Sequence, residues 1–306
     1  MRILFAGTPN VAITTLEWLN SSKHELLGVL TRPAAAQGRS SELVDSPVAN
    51  FAKDNSIKTY TSFESLLTER ILESIDLVVV IAYGKLIPNE LLQLPKYGWV
   101  NIHFSLLPKF RGAAPVQRAI WSGEKSSGIS IFQLDKGMDT GPIFTQKTFE
   151  IGDRETSGEC LERVSQLVPE MLDETLSGIE NSTIPTPQDD SKATFAPKID
   201  KSELRIDWNT TASSIKNMVR ALNPTPRAKT TFRKDDLFIY ETQVSDTKSS
   251  RPAGTLIFTS QNLYVATNDF DLEILKVQSS GKKIMSGSEW SRGIQSKDDA
   301  TENRYV

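Results

Sequence analysis

The chain has 306 residues, 38% of them hydrophobic and 24% charged, with a net charge of −3, one cysteine and two histidines. That length is enough for a sizeable core and about two domains. No apolar run reaches the roughly 18 residues of a membrane span, and a single cysteine, Cys160, excludes an internal disulfide or a cysteine-cluster metal site.

The opening MRILFAGTPNV carries no signal-peptide pattern, so a cytoplasmic protein without membrane attachment is expected. RILFAG (2–7) reads as a buried strand, followed by a helix from Val11 to Leu19 with Pro9 near its start. LLGVLT (26–31) is a second strand. IDLVVVIAYG (75–84) is a continuous β-branched run ending at glycine, the pattern of a parallel strand buried on both faces. WVNIHF (99–104) and GISIFQL (128–134) are two more. Strands alternating with helices predict a doubly wound, Rossmann-like parallel sheet. TSGECLERVSQLVPEMLDETL reads as one helix, opened by a Thr156–Glu159 capping box and kinked at Pro169, with Cys160 in its apolar face.

The texture then changes. Residues 184–203 contain three prolines among polar residues and read as a linker between a first domain, 1–183, and a second, 204–306. The second opens with an amphipathic helix whose Ile215, Met218, Val219 and Leu222 share a face. Closely spaced short strands follow (LFIYETQV, GTLIFT, NLYVATN, LEILKVQ), which predict a small antiparallel barrel. The polar tail from Gly293 is expected to fray. Residues 201–306 hold 16 Lys+Arg against 13 Asp+Glu, a net of +3, which leaves the first 200 residues at −6. Such a split suits a polyanionic partner for the second half, or random variation in surface charge.

Chemistry concentrates at VNIHFSLLPKF (100–110). With the period of a strand, Asn101, His103 and Ser105 share one face. In open α/β sheets ligands bind beyond the carboxyl ends of the strands, and GISIFQL leads into a glycine-bearing loop with Asp135 and Asp139. Asn offers amide donors, His a proton or a charge, and Asp a group to orient the His or take a proton. Asp135 suits packing or capping of its loop. Ser105 lacks the G-x-S-x-G elbow of a nucleophile. Residue types alone leave two readings open: a catalytic constellation, or a histidine capping a strand end beside a turn. MDTG resembles an aspartic-protease motif, but those proteins are all-β and need two such aspartates. AGTPNVA lacks the G-x-G-x-x-G of a dinucleotide turn.

Taken together, Asn101-x-His103, Ser105-Leu106-Leu107-Pro108 and Asp139-Thr140-Gly141 closely resemble the signature of the 10-formyltetrahydrofolate-dependent formyltransferases. RILFAGTP, IAYGKLIP (81–88), RGAAPVQRAIWSGE (111–124), FAPKIDKSELRIDW and IKNMVRALNPTP are similar to the methionyl-tRNA formyltransferases in particular, and that likeness covers about residues 1–290. The resemblance implies transfer of a formyl group from 10-formyltetrahydrofolate, as co-substrate and without a metal, to the α-amine of initiator methionyl-tRNA. The attack is direct and passes through a tetrahedral intermediate. It implies that Asn101 and a protonated His103 stabilise the oxyanion. Asp139 would hold His103 in its charged form and help take the amine proton. Ser105, Leu106, Leu107, Pro108, Tyr83 and Gly84 would line the folate pocket. The implied second domain is an oligonucleotide-binding type of barrel that helps hold tRNA, with Arg39, Lys201, Arg205, Lys216 and Arg220 as candidate contacts, in a monomeric enzyme. A folate-dependent formyltransferase acting on another amine, such as a sugar nucleotide, is the alternative. The chain departs from the family in the loop after the second strand, where TRPAAAQGRSSELVDSPV (31–48) keeps only Arg32 and Arg39 of a usually basic run. It departs again at Lys85, an apolar position in the family, and in NPTP in place of the usual NPWP.

Overall fold

The computed structural model describes residues 1–36, 42–294 and 305. In chain order the first elements are β1 (Arg2–Gly7), α1 (Ile13–Ser21), β2 (Glu25–Leu30), the short pair β3 (Ala35–Ala36) and β4 (Leu43–Val44), α2 (Pro47–Asp54), β5 (Thr59–Tyr60), α3 (Phe63–Thr68), β6 (Leu77–Ile81), α4 (Asn89–Leu92), β7 (Trp99–His103), α5 (Pro115–Ser122), β8 (Ser126–Gln133), β9 (Ile143–Glu150), α6 (Ser157–Ser165) and α7 (Val168–Glu180). A seven-stranded sheet has the order β5-β2-β1-β6-β7-β8-β9. β5 through β7 are parallel, and all five residues of β6 are buried, as a strand covered on both faces requires. Burying a valine side chain such as Val78 or Val79 contributes about 1.5–3 kcal/mol. Trp99 closes the same core and donates its indole N–H to the Leu91 carbonyl at 2.8 Å.

Two expectations change here. β8 is antiparallel to β7, and β9 to β8, so the sheet is mixed rather than wholly parallel. No crossover helix of the βαβ kind separates β8 from β9, which lie one loop apart and pair directly. The long helix is two helices. Pro169 lies in the first turn of α7, where its missing N–H costs nothing, so it starts a helix rather than kinking one. The capping box at Thr156 and Glu159 forms, and Cys160 is buried.

The chain divides into two compact units. The first comprises residues 1–115, 126–150 and 161–197, and the second 116–125, 151–160 and 198–306. Residues 184–197, read above as linker, therefore belong to the first unit, where Thr186 bridges to Ile143 and Phe195 to Arg111.

The second unit carries α8 (Ala212–Ala221), β10 (Ala228–Phe232), β11 (Asp235–Lys248), β12 (Leu256–Phe258), β13 (Leu263–Val265), β14 (Phe270–Ser279), β15 (Met285–Ser286) and α9 (Gly287–Arg292). Its antiparallel sheet has the order β10-β11-β14-β13-β12, with β15 on β14. Thr211 caps α8 through the Ser214 N–H, and Ile215, Met218, Val219 and Leu222 enter the core as their spacing predicts. Of the tail, Gly293, Ile294 and Tyr305 are described; Tyr305 is buried against Trp208 and Trp290, and the rest of the tail lies outside the described residues. Among the described residues no helix is long and apolar enough to cross a membrane, and no cluster of His, Cys, Asp and Glu suited to a metal occurs.

Candidate active site

β7 delivers Asn101 and His103 from one face of a strand into a cavity of about 500 Å³. None of the described residues hydrogen-bonds the Asn101 side-chain amide, so its N–H groups are available to a ligand. His103 is only 5% exposed. Its Nε2 lies 2.9 Å from the Phe110 carbonyl, an acceptor, so Nε2 carries the hydrogen and Nδ1 faces Asp139 Oδ2 at 3.7 Å. That separation is too long for a hydrogen bond but short enough for strong electrostatic influence. Asp139 Oδ2 in turn accepts the Gly112 N–H at 2.7 Å.

Burial pushes the His103 imidazole below its ordinary value of 6.5, against the opposing pull of the Asp139 carboxylate and the Phe110 carbonyl. Desolvation thus favours the neutral imidazole, whose Nδ1 lone pair then faces Asp139. The resemblance implies a protonated His103 at the oxyanion; the desolvation that opposes that charge is not visible in residue types.

Asp139 reaches the site by an unexpected path. In the register of β7 and β8, Ser130 lies beside His103 and Gln133 beside Val100. β8 therefore leaves the sheet at the end where β7 enters, and the loop 134–142 must turn back along the sheet. Asp135 accepts from the Gly137 N–H and the Thr140 hydroxyl and caps this loop, the role expected of it. Asp139 itself is left-handed, at φ 54°, a conformation that costs a non-glycine residue roughly 1–2 kcal/mol.

Of the residues expected to line a folate pocket, Tyr83 and Gly84 do line the cavity. The Tyr83 carbonyl is held by the Thr8 hydroxyl and the Gly84 carbonyl by Arg32. Ser105, Leu106, Leu107 and Pro108 do not line it. The strand ends at His103, and the turn that follows uses these residues internally. Ser105 donates its hydroxyl to the Lys109 carbonyl, its own carbonyl accepts from Ser130, and the Leu106 side chain covers Gly128. Residues that sequence reasoning missed include Ile87, Phe104, Gly112 and Met138 in the lining, and buried Arg111 behind it. Their only signal was membership of the IAYGKLIP, NIHF, RGAAP and DKGMDTG stretches.

The candidate tRNA contacts separate. Arg39 lies outside the described residues. Lys201 and Arg205 are exposed and Lys216 is half-buried. Arg220 is only 6% exposed and donates to the Gly152 and Glu155 carbonyls and to Asn217. A buried guanidinium committed to these partners does not reach a phosphate, so Arg220 leaves the proposed track.

Residues 1–176 match the family Formyl transferase, and residues 198–295 match Formyl transferase, C-terminal domain. The chain is 39% identical over 300 residues to the methionyl-tRNA formyltransferase of Thermobifida fusca, covering 96% of this chain and 97% of that one. Among solved structures it is similar to methionyl-tRNA formyltransferase from Clostridium thermocellum, with a TM-score of 0.60 at 20% identity over 87% of this chain and 99% of that one. It is also similar to HypX from Aquifex aeolicus in complex with tetrahydrofolic acid, with a TM-score of 0.67 at 19% identity over 95% of this chain, which spans 46% of HypX.

Proposed function

The chain belongs to the formyl transferase family, among the methionyl-tRNA formyltransferases, and on that premise we propose that it transfers the formyl group of 10-formyltetrahydrofolate to the α-amine of methionine on initiator tRNA, for translation initiation. The observation that carries this reading is the convergence of Asn101, His103 and Asp139 on one cavity. Its volume of about 500 Å³ is of the size that takes a folate head group.

In the proposed reaction the free α-amine attacks the formyl carbon, a C–N bond forms, and the formyl oxygen becomes an oxyanion. The Asn101 amide donates to that oxyanion. Nδ1 of neutral His103 takes the proton released by the amine, and the resulting imidazolium, next to Asp139, adds its charge to the stabilisation. Collapse breaks the bond to N10. His103 returns the proton to N10, leaving tetrahydrofolate and formylmethionyl-tRNA. The net proton count is unchanged, and no covalent enzyme intermediate is needed. We place this chemistry in the cytoplasm and in a monomer.

The direct test offers 10-formyltetrahydrofolate with either charged initiator tRNA or an amino-sugar nucleotide. Formyl on the aminoacyl-tRNA is the expected outcome; formyl on the sugar amine alone, or on neither, rejects the reading.

A pH dependence follows. Since His103 works as a base from its neutral form, kcat falls as pH drops through its pKa, which lies below 6.5. Asp139 is a cause that raises this pKa, so Asp139→Asn moves the acidic limb of the residual activity to still lower pH. A limb that moves upward or stays in place in Asp139→Asn contradicts the proton path.

For tRNA we retain exposed Lys201 and Arg205 and half-buried Lys216 as phosphate contacts. Lys201→Ala with Lys216→Ala should raise the tRNA KM and reduce the log–log salt slope by about 1 per lost contact. Arg220→Ala should instead leave that slope alone and lower stability by roughly 2 kcal/mol, because it removes the part-buried hydrogen bonds of a charged donor to Asn217 and the Gly152 and Glu155 carbonyls. Salt-series binding and thermal melts on the two variants distinguish these roles.

A further inference from the structure

Residues 186–196 lie along the first unit as a strap whose polar side chains hold the Asp139 turn and the backbone of Phe110, whose carbonyl bonds His103. Gln188 Nε2 donates to the Asp139 carbonyl at 2.9 Å and to the Gly141 carbonyl at 2.7 Å, on either side of the left-handed turn that presents the Asp139 carboxylate. Gln188 Oε1 accepts from Arg111 Nε at 3.1 Å and Nη2 at 2.7 Å, which fixes the amide the right way round. On the other side Thr194 Oγ1 accepts the Phe110 N–H at 2.8 Å, and the Phe110 carbonyl is the acceptor that sets the His103 tautomer. Arg111 is 4% exposed and also pairs with Asp190 at 2.7 Å.

Neither Gln188 nor Thr194 lines the cavity. We infer that Gln188 and Thr194 are positioning residues, which hold the Asp139 turn and the Phe110 carbonyl so that Asp139 and His103 meet in reactive geometry. The inference rests on the catalytic reading of Asp139 and His103 above. Its physical basis is that a non-glycine residue with positive φ persists only where its surroundings over-determine it. Two hydrogen bonds from the half-buried Gln188 amide do that here. A displacement of about 1 Å at a reacting group costs on the order of 10²-fold in rate, so releasing this turn reads out in kcat rather than in donor binding.

The experiment is a double-mutant cycle of Gln188→Ala and Asp139→Asn on the full chain, read in single-turnover formyl transfer with the donor KM measured in parallel. Gln188→Ala is expected to lower kcat by roughly 10- to 100-fold with donor KM within about twofold. Added to Asp139→Asn it should cost no more than about a further twofold, since its target is already disabled. Independent, multiplying losses overturn the inference, and so does a Gln188→Ala kcat within about twofold of wild type while Asp139→Asn is crippled. If Asp139→Asn itself keeps full turnover, both the inference and the reading beneath it fall. Should Gln188→Ala fail to fold, Thr194→Val and Thr194→Ser decide in its place. Loss of kcat in the valine variant with rescue in the serine variant, which keeps the acceptor oxygen, supports positioning. Equal kcat in the two overturns it.

Discussion

Replacing His103 with alanine is expected to lower kcat by roughly 10²- to 10⁴-fold, the range for loss of a general base, with Asn101→Ala close behind at about 10²- to 10³-fold, the range for one oxyanion donor. The two losses differ in kind. The Asn101 side chain makes no hydrogen bond to the described residues, so its removal takes away a contact made only by the bound reactants. His103 also serves the Phe110 carbonyl. His103→Ala therefore frees that carbonyl as well as removing the base, and should cost stability of about 1–2 kcal/mol. Donor affinity should change little in both, because Tyr83, Gly84 and Ile87 line the cavity independently of the two side chains. Rapid-quench measurement of formyl transfer, beside calorimetric titration with a non-reactive folate, separates chemistry from binding. Turnover near wild type in either variant removes that residue from the mechanism.

Gly141→Ala is expected to be as damaging to activity, although residue 141 never touches the reaction. A Cβ there would stand 1.8 Å from the Gln133 carbonyl oxygen, an overlap that no rotamer relieves. Gln133 cannot yield easily. Its own N–H bonds the Pro142 carbonyl at 2.9 Å, and the following Leu134 N–H bonds the Trp99 carbonyl at 2.8 Å, so it is tied to β7. The loop must move instead, and Asp139 sits two residues away. The result should be a kcat loss of roughly 10²-fold and destabilisation of about 2–4 kcal/mol, the range for forced backbone strain in a packed site. Gly281→Ala is the control. Gly281 has positive φ, at 73°, which Gly141 does not, but nothing lies within 4 Å of its added Cβ, so about 1 kcal/mol and unchanged kcat are expected. Chemical melts and steady-state rates on the pair check both. A fully active Gly141→Ala contradicts the role given to this loop.

Local pattern determined much of this molecule. The alternation in VNIHF is the period of a strand, and period 2 alone puts Asn101 and His103 on one face. The unbroken LVVVI of β6 can only be satisfied with both faces covered. Thr156 three residues before Glu159, and the Ile215, Met218, Val219 and Leu222 stripe, are helix signals that act within two turns of chain. Tertiary structure decided what depends on partners remote in sequence. β8 reads the same whether it pairs parallel or antiparallel, because period 2 carries no direction. Its reversal makes the Asp139 loop double back, and only then can Gln188, 49 residues further on, grip it. The proline-rich stretch before residue 197 looks like linker because its hydrogen-bonding groups have no local partners; their partners are Arg111, Phe110 and Asp139. Arg220 has the spacing of a surface cation on α8, and its burial depends on carbonyls at Gly152 and Glu155 that helix periodicity does not register. The charge of His103 follows the same rule. Residue types place a carboxylate nearby, but the sign of the shift is set by how completely the packed chain excludes water from the ring.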